Sequence, residues 1–252
     1  TNDAWGPAFG TDTIGAHTDI GNWWNWFRSP ESPTYLADLY NESGQWSTYT
    51  RMADDQDPGG QNQIVMFKSC FPNSILGGDP NDPVPSIENN LLKGNDSYSE
   101  YHTVANAKGI YVDLLQYFST KPDTLFIVIT APPNYDNGEA ANARAFNEWL
   151  VNDWLVGYPV NNVFVFDFYN VLTTNGGSWT TNDFNAATGN HHRWWNNGIQ
   201  HQVDLLHNNS AYPSSVSDDH PTRAGNLKAT GEYVPLLNYA YNWWVTNKTP
   251  VA

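Results

Sequence analysis

Three short apolar runs limit the folds open to this chain: Ile64 to Phe67, Thr124-Leu-Phe-Ile-Val-Ile-Thr130, and Asn162-Val-Phe-Val-Phe-Asp167. Each is too short for a helix, rich in β-branched and aromatic residues, and free of polar alternation, which is the pattern of a strand buried on both faces. The intervening stretches read as helices. The first runs from Ser99 to Phe118, with Val104, Ala107, Tyr111, Leu114, Leu115 and Phe118 at helical spacing; the second runs from Glu139 to Val156, after Pro132-Pro133 closes the middle strand. Strands alternating with helices imply a parallel sheet covered on both sides, so the expected class is α/β. Residues 1–62, rich in Trp, Gly, Pro and Asp, read as an irregular wrapping segment holding one short helix from Pro33 to Tyr40. Residues 63–252 read as the α/β core, with long polar loops after Asp167 and a terminal helix from Ala224 to Trp244. There is no internal repeat or linker, so a single domain over 1–252 is expected.

Charge narrows the partners. With 11 basic and 26 acidic residues the net charge is -15, which repels a phosphate backbone or an anionic membrane. Nucleic acid is therefore not expected as a partner, and no apolar run reaches the length of a membrane span. Only 15% of residues are charged, while 12 are Trp and about one in eight is Asn, so amides, hydroxyls and rings make the surface. Such a composition suits the mature chain of a secreted protein, as does the lack of a signal-peptide pattern. One cysteine, Cys70, excludes an internal disulfide framework.

Ligands of open parallel sheets bind beyond the carboxyl ends of the strands. The residues there are Lys68-Ser69-Cys70-Phe71-Pro72-Asn73-Ser74, then Thr130-Ala-Pro-Pro-Asn134, then Asp167-Phe-Tyr-Asn170. Just before the terminal helix stands Asp218-Asp219-His220-Pro221. An acid two residues before a histidine can orient the imidazole as a general base toward a hydroxyl nucleophile. Asp219 points the other way in an extended segment, and a solvated side chain or helix cap is expected of it.

Asp218-x-His220-Pro221 ahead of a C-terminal helix, together with the strand ending Thr130-Ala-Pro-Pro, resembles the GDSL/SGNH hydrolase superfamily. The stretches Ile64–Ser74, Asn190–Arg193 and Asp218–Asn238 also resemble uncharacterised bacterial SGNH-like proteins, and the likeness spans most of the chain from Trp5 onward. The resemblance implies a three-layer α/β/α, flavodoxin-like fold. It also implies a serine ester hydrolase without metal or organic cofactor, whose substrate is a carbohydrate ester or other small ester. His220 would be its base, Asp218 the orienting carboxylate and Asn73 an oxyanion donor. The superfamily spaces its Asp three residues before the His, where this chain has Ser217.

Two placements of the nucleophile stay open. In one, Lys68-Ser69-Cys70 replaces Gly-Asp-Ser and Ser69 attacks. In the other, Ser69 and Asn73 are oxyanion donors and the nucleophile strand lies upstream of Thr1. A thiol at Cys70 is a weaker nucleophile candidate than an inert buried cysteine. Lys68, Thr130, His192, Arg193, Trp194 and Trp195 are the expected substrate-binding residues, the Trp pair by stacking on sugar faces. A non-catalytic carbohydrate-binding or extracellular structural protein of the same fold is the alternative. His191, His192, His201 and His207 lack the spacing of a metal site, and no metal is expected. The runs Asp54–Gly60 and Asp79–Asp82 read as solvated turns.

Overall fold

The computed structural model describes residues 17–41, 61–173, 192–195, 198–201 and 207–248. In chain order the elements are α1 (Ile20–Phe27), α2 (Ser32–Asn41), β1 (Ile64–Lys68), α3 (Val104–Ser119), β2 (Leu125–Ile129), α4 (Ala140–Asn152) and β3 (Val163–Phe166). They continue with α5 (Phe168–Leu172), β4 (His192–Trp195), β5 (Gly198–His201), β6 (Pro213–Ser215), β7 (Asp218–Pro221) and α6 (Arg223–Asn247).

The three apolar runs pair in parallel in the order β1-β2-β3, with Val65 opposite Phe126 and Val128 opposite Val165. The class is mixed α/β, a parallel sheet flanked by helices. One face of the sheet, with Val65, Phe67, Phe126, Val128, Val163 and Val165, packs against α1, α3 and α4. Leu125, Ile127 and Phe166 face the other way, onto α6. That second layer stops short of β1, whose Met66 is 52% exposed. Tyr233 of α6 touches the Met66 sulfur. Among the described residues no helix is long and apolar enough to cross a membrane.

Residues 17–41 hold two helices rather than the one expected. Ile20, Trp23, Trp24 and Phe27 of α1 stand at helical i, i+3, i+4, i+7 spacing, a signal that the Trp-, Asn- and Gly-rich composition of the segment obscures. Its start is fixed by side chains: Asn22 Oδ1 accepts the Asp19 N–H at 3.1 Å, and Asn73 Oδ1 accepts the Ile20 N–H at 2.8 Å. Trp23 and Phe27 then sit against Phe67, with ring centroids 4.7 and 5.3 Å away. Trp244, near the end of α6, is also buried and donates to the Pro122 carbonyl at 2.9 Å. Trp244 is thus a core residue that anchors the end of α6.

Gly21 lets α1 rest directly on the turn at 92–95, where the Gly94 N–H donates to the Gly21 carbonyl at 3.0 Å. A methyl group there would collide with the backbone oxygens of Leu92 and Asn95, which cannot swing aside as a side-chain tip can. Gly21→Ala is expected to cost about 2–3 kcal/mol despite its better helix propensity. A urea titration showing an unchanged or raised midpoint would disprove that close approach.

Candidate active site

The segment Pro213–Pro221 has few β-formers and is held as a hairpin by its polar groups. Ser215 pairs with Asp218, and the Ser214 hydroxyl donates to the His220 carbonyl at 2.8 Å. Alternation along β7 sends Asp218 and His220 to one side and Asp219 to the other. Asp219 is half-buried and engaged across the fold rather than in a helix cap. Its carboxylate accepts the Tyr135 N–H at 2.5 Å and the Asn134 amide at 3.1 Å, which pins the hairpin to the segment following β2. On the other side the His220 ring meets Phe71 edge-on, at 4.7 Å between centroids, in the turn following β1. The hairpin thus stands over the carboxyl ends of β1 and β2.

His220 Nδ1 lies 2.6 Å from Asp218 Oδ1, which also accepts the His220 backbone N–H at 3.0 Å. That backbone bond, then the ring bond, holds the Asp218 carboxyl below its ordinary range. A charged acceptor on Nδ1 selects the tautomer with the proton there and leaves Nε2 as a lone pair. The imidazole is 70% exposed, and Nε2 has no hydrogen-bond partner among the described residues. A pair so arranged can act as a general base toward solvent-side groups.

The other expected residues divide by position. Lys68 reaches the Phe71 ring, Nζ 5.9 Å from its centroid, and burial pushes its ammonium below the ordinary lysine range. His220 and Lys68 therefore both lie against Phe71, a strand-end residue to which the sequence reading gives no role. Cys70 is a free, half-buried thiol.

Ser69, by contrast, is 1% exposed, and its Oγ accepts the Trp23 indole N–H at 2.7 Å. It also stands close enough to the Tyr111 phenol to offset part of the upward pKa shift that burial imposes there. No hydrogen bond joins Ser69 to His220. Asn73 has its whole amide engaged, with Oδ1 on the Ile20 N–H and Nδ2 donating to Asp19 Oδ1 and the Cys70 carbonyl. No N–H remains for an oxyanion. Thr130 is fully buried, and its Oγ1 accepts the Tyr169 N–H at 2.8 Å.

His192 lies behind β3 rather than in the crevice. Its Nδ1 faces Glu232 Oε2 at 2.9 Å, Nε2 accepts the Asp167 N–H at 2.9 Å, and the ring stacks on Phe166. It therefore ties β4 to the end of β3 and to α6. Arg193, Trp194 and Trp195 belong to β4 by backbone, but their side chains lie outside the described residues. His191, Asp54–Gly60 and residues 1–16 lie wholly outside them. Among the described residues no three His, Cys, Asp or Glu side chains are grouped to hold a metal ion.

Two buried histidines make stability depend on pH. His102 donates Nδ1–H to the Ile75 carbonyl at 2.8 Å while its Nε2 is buried without a partner, and burial lowers its pKa. Burial, helped by neighbouring His192, pushes His201 down to about 3. Both stay neutral in the folded protein where the unfolded chain, with histidine near pKa 6.5, takes up protons. Their contribution is therefore complete above about pH 6.5 and is lost as pH falls toward the folded values, by up to about 1.4 kcal/mol per pH unit and group. Urea midpoints at pH 7.5 and 5.0 should differ accordingly, and His102→Gln should flatten the dependence. Equal midpoints would contradict it.

Comparison of the chain with protein-family models, with curated proteins and with solved structures finds no match.

Proposed function

We propose that this protein is an ester hydrolase of the SGNH layout, a three-layer α/β/α domain that removes acyl groups from a carbohydrate. The observation that carries this reading is the Asp218–His220 pair, joined at 2.6 Å with Nε2 free of described partners, over the carboxyl ends of two parallel strands. His220 Nε2 takes a proton from the attacking oxygen, Asp218 stabilises the imidazolium, and the same proton passes to the leaving alkoxide. Lys68 supplies positive charge for the oxyanion. For Ser69 to attack, its hydroxyl would have to give up the Trp23 bond. A water held at Nε2 requires no such change, and attack is assigned to it: the water oxygen bonds to the acyl carbon, and the bond from that carbon to the sugar oxygen breaks.

The test is turnover of p-nitrophenyl acetate and of an acetylated polysaccharide by the native chain and by His220→Ala. Equal rates would refute the reading. Treatment with a fluorophosphonate should leave Ser69 unlabelled, whereas an adduct on Ser69 by mass spectrometry would make it the nucleophile.

A second reading, a carbohydrate-binding protein of this fold without activity, is favoured by the enclosure of Ser69 and by the lack of a described hydroxyl bonded to His220. Saccharide binding without turnover would decide for it.

A further inference from the structure

A groove of about 550 Å3 lies between α1, the start of α2 and the turn at Gly94–Asp96. It shares no lining residue with the Asp218–His220 pair. Its shape follows from the close approach at Gly21, with Gly94 held at φ +79° and its N–H on the Gly21 carbonyl. Beneath the groove, Trp26 is buried, donates to the His17 carbonyl at 2.6 Å and meets Tyr35 edge-on at 5.1 Å. The rings are thus fixed by packing before any ligand arrives.

Five polar side chains along this groove keep hydrogen-bonding capacity. Trp24 is half-buried with the Lys93 ammonium 5.2 Å from its ring centroid, yet its indole N–H makes no hydrogen bond among the described residues. The same holds for the Asn25 amide, the Tyr35 hydroxyl and the Glu31 carboxylate, all of which line the groove. Asp96 accepts the Tyr98 N–H with one oxygen and keeps the other. One donor, two groups that both donate and accept, and two acceptors therefore surround fixed aromatic rings.

We infer that this groove binds a neutral saccharide. A sugar presents apolar C–H faces that lie against rings, and hydroxyls that donate to carboxylates and accept from an indole or amide. Glu31 and Asp96 oppose an anionic ligand, and the lysine on Trp24 opposes a cation at that ring. Rigid aromatic walls keep the ordering cost of binding low. The inference rests on the ester-hydrolase reading only in making the sugar the carrier of the acyl group; binding itself does not depend on His220.

The experiment is isothermal titration of the full chain with neutral β-1,4-linked hexasaccharides of glucose, xylose, mannose and N-acetylglucosamine. Tetramethylammonium and hexagalacturonate serve as cationic and anionic probes. At least one neutral hexasaccharide should bind more tightly than either charged probe. Trp24→Ala should weaken it about 10-fold or more, and Glu31→Gln, an exposed change that leaves melting unaltered, about 3-fold. His220→Ala should bind as the native chain does. Failure of every neutral saccharide to bind, tighter binding of a charged probe, or indifference to both groove variants would overturn the proposal. Loss of the groove with ester turnover intact leaves the hydrolase reading standing, and saccharide binding without turnover removes that reading while keeping the groove.

Discussion

Arg144→Met is expected to destabilise the protein by about 3–5 kcal/mol, the largest loss of any single substitution considered. Arg144 of α4 is 6% exposed, and its guanidinium donates four hydrogen bonds. Nε donates to Asn208 Oδ1 at 3.1 Å, Nη1 to Asn170 Oδ1 at 3.0 Å, and Nη2 to Thr173 Oγ1 at 3.1 Å and to the His207 carbonyl. The group lies 4.9 Å from the Tyr169 ring centroid. Met fills similar volume but removes four donated hydrogen bonds, and a buried group that loses a charged partner costs about 1–3 kcal/mol before relaxation. Lys cannot reproduce the planar fork, so Arg144→Lys should recover less than half of the loss. Urea unfolding at pH 7.5 measures both, and a change under about 1 kcal/mol for the Met variant would show that the network is dispensable. Arg144 also holds residues 207–208, from which the chain runs to the Pro213–Pro221 hairpin through the Ser210 N–H on Asn134 and the Ala211 N–H on Leu172. Activity should therefore fall in parallel with stability.

His220→Ala should lower kcat/KM for ester hydrolysis by about 10²–10⁴, the span attributed to a general base. The side chain is 70% exposed, so its removal should change stability by no more than about 0.5 kcal/mol, which separates the chemical effect from a folding defect. Asp218→Asn should cost less, roughly 10–10²-fold, because water screens an exposed pair and part of the orientation survives through Phe71. A rate within about 2-fold of native for His220→Ala, at unchanged melting temperature, would remove the imidazole from the mechanism.

The sheet was legible because β2 and β3 are buried on both faces, so their sequences contain nothing but apolar residues. β1 carries the same pattern for a different reason, since Ile64 and Met66 lie on the face that α6 leaves uncovered. A five-residue run cannot distinguish those cases. Asp218 and His220 were legible because their spacing matches the alternation of an extended strand, and the partner of His220 is two residues away. The enclosure of Ser69 was not, because the indole N–H that donates to its hydroxyl oxygen belongs to Trp23, 46 residues earlier, on a helix in a segment read as irregular wrapping. The engagement of Asn73 was hidden for the same reason, since its amide meets Ile20 of α1 and Asp19 just before it, more than 50 residues away.

The Asp219 clamp has a bearing on how this protein acquires its site. Contact between Asp218 and His220 is local and can form in a nearly unfolded chain, on the timescale of a turn. Its placement over the strand ends depends on partners 84 and 85 residues earlier, Tyr135 and Asn134, which come into reach only after β2 is in the sheet and the intervening loop has closed. Closing so long a loop costs entropy that early contacts cannot offset. The Asp218–His220 contact can therefore form early in folding, whereas its placement over the strand ends requires the sheet to be built first.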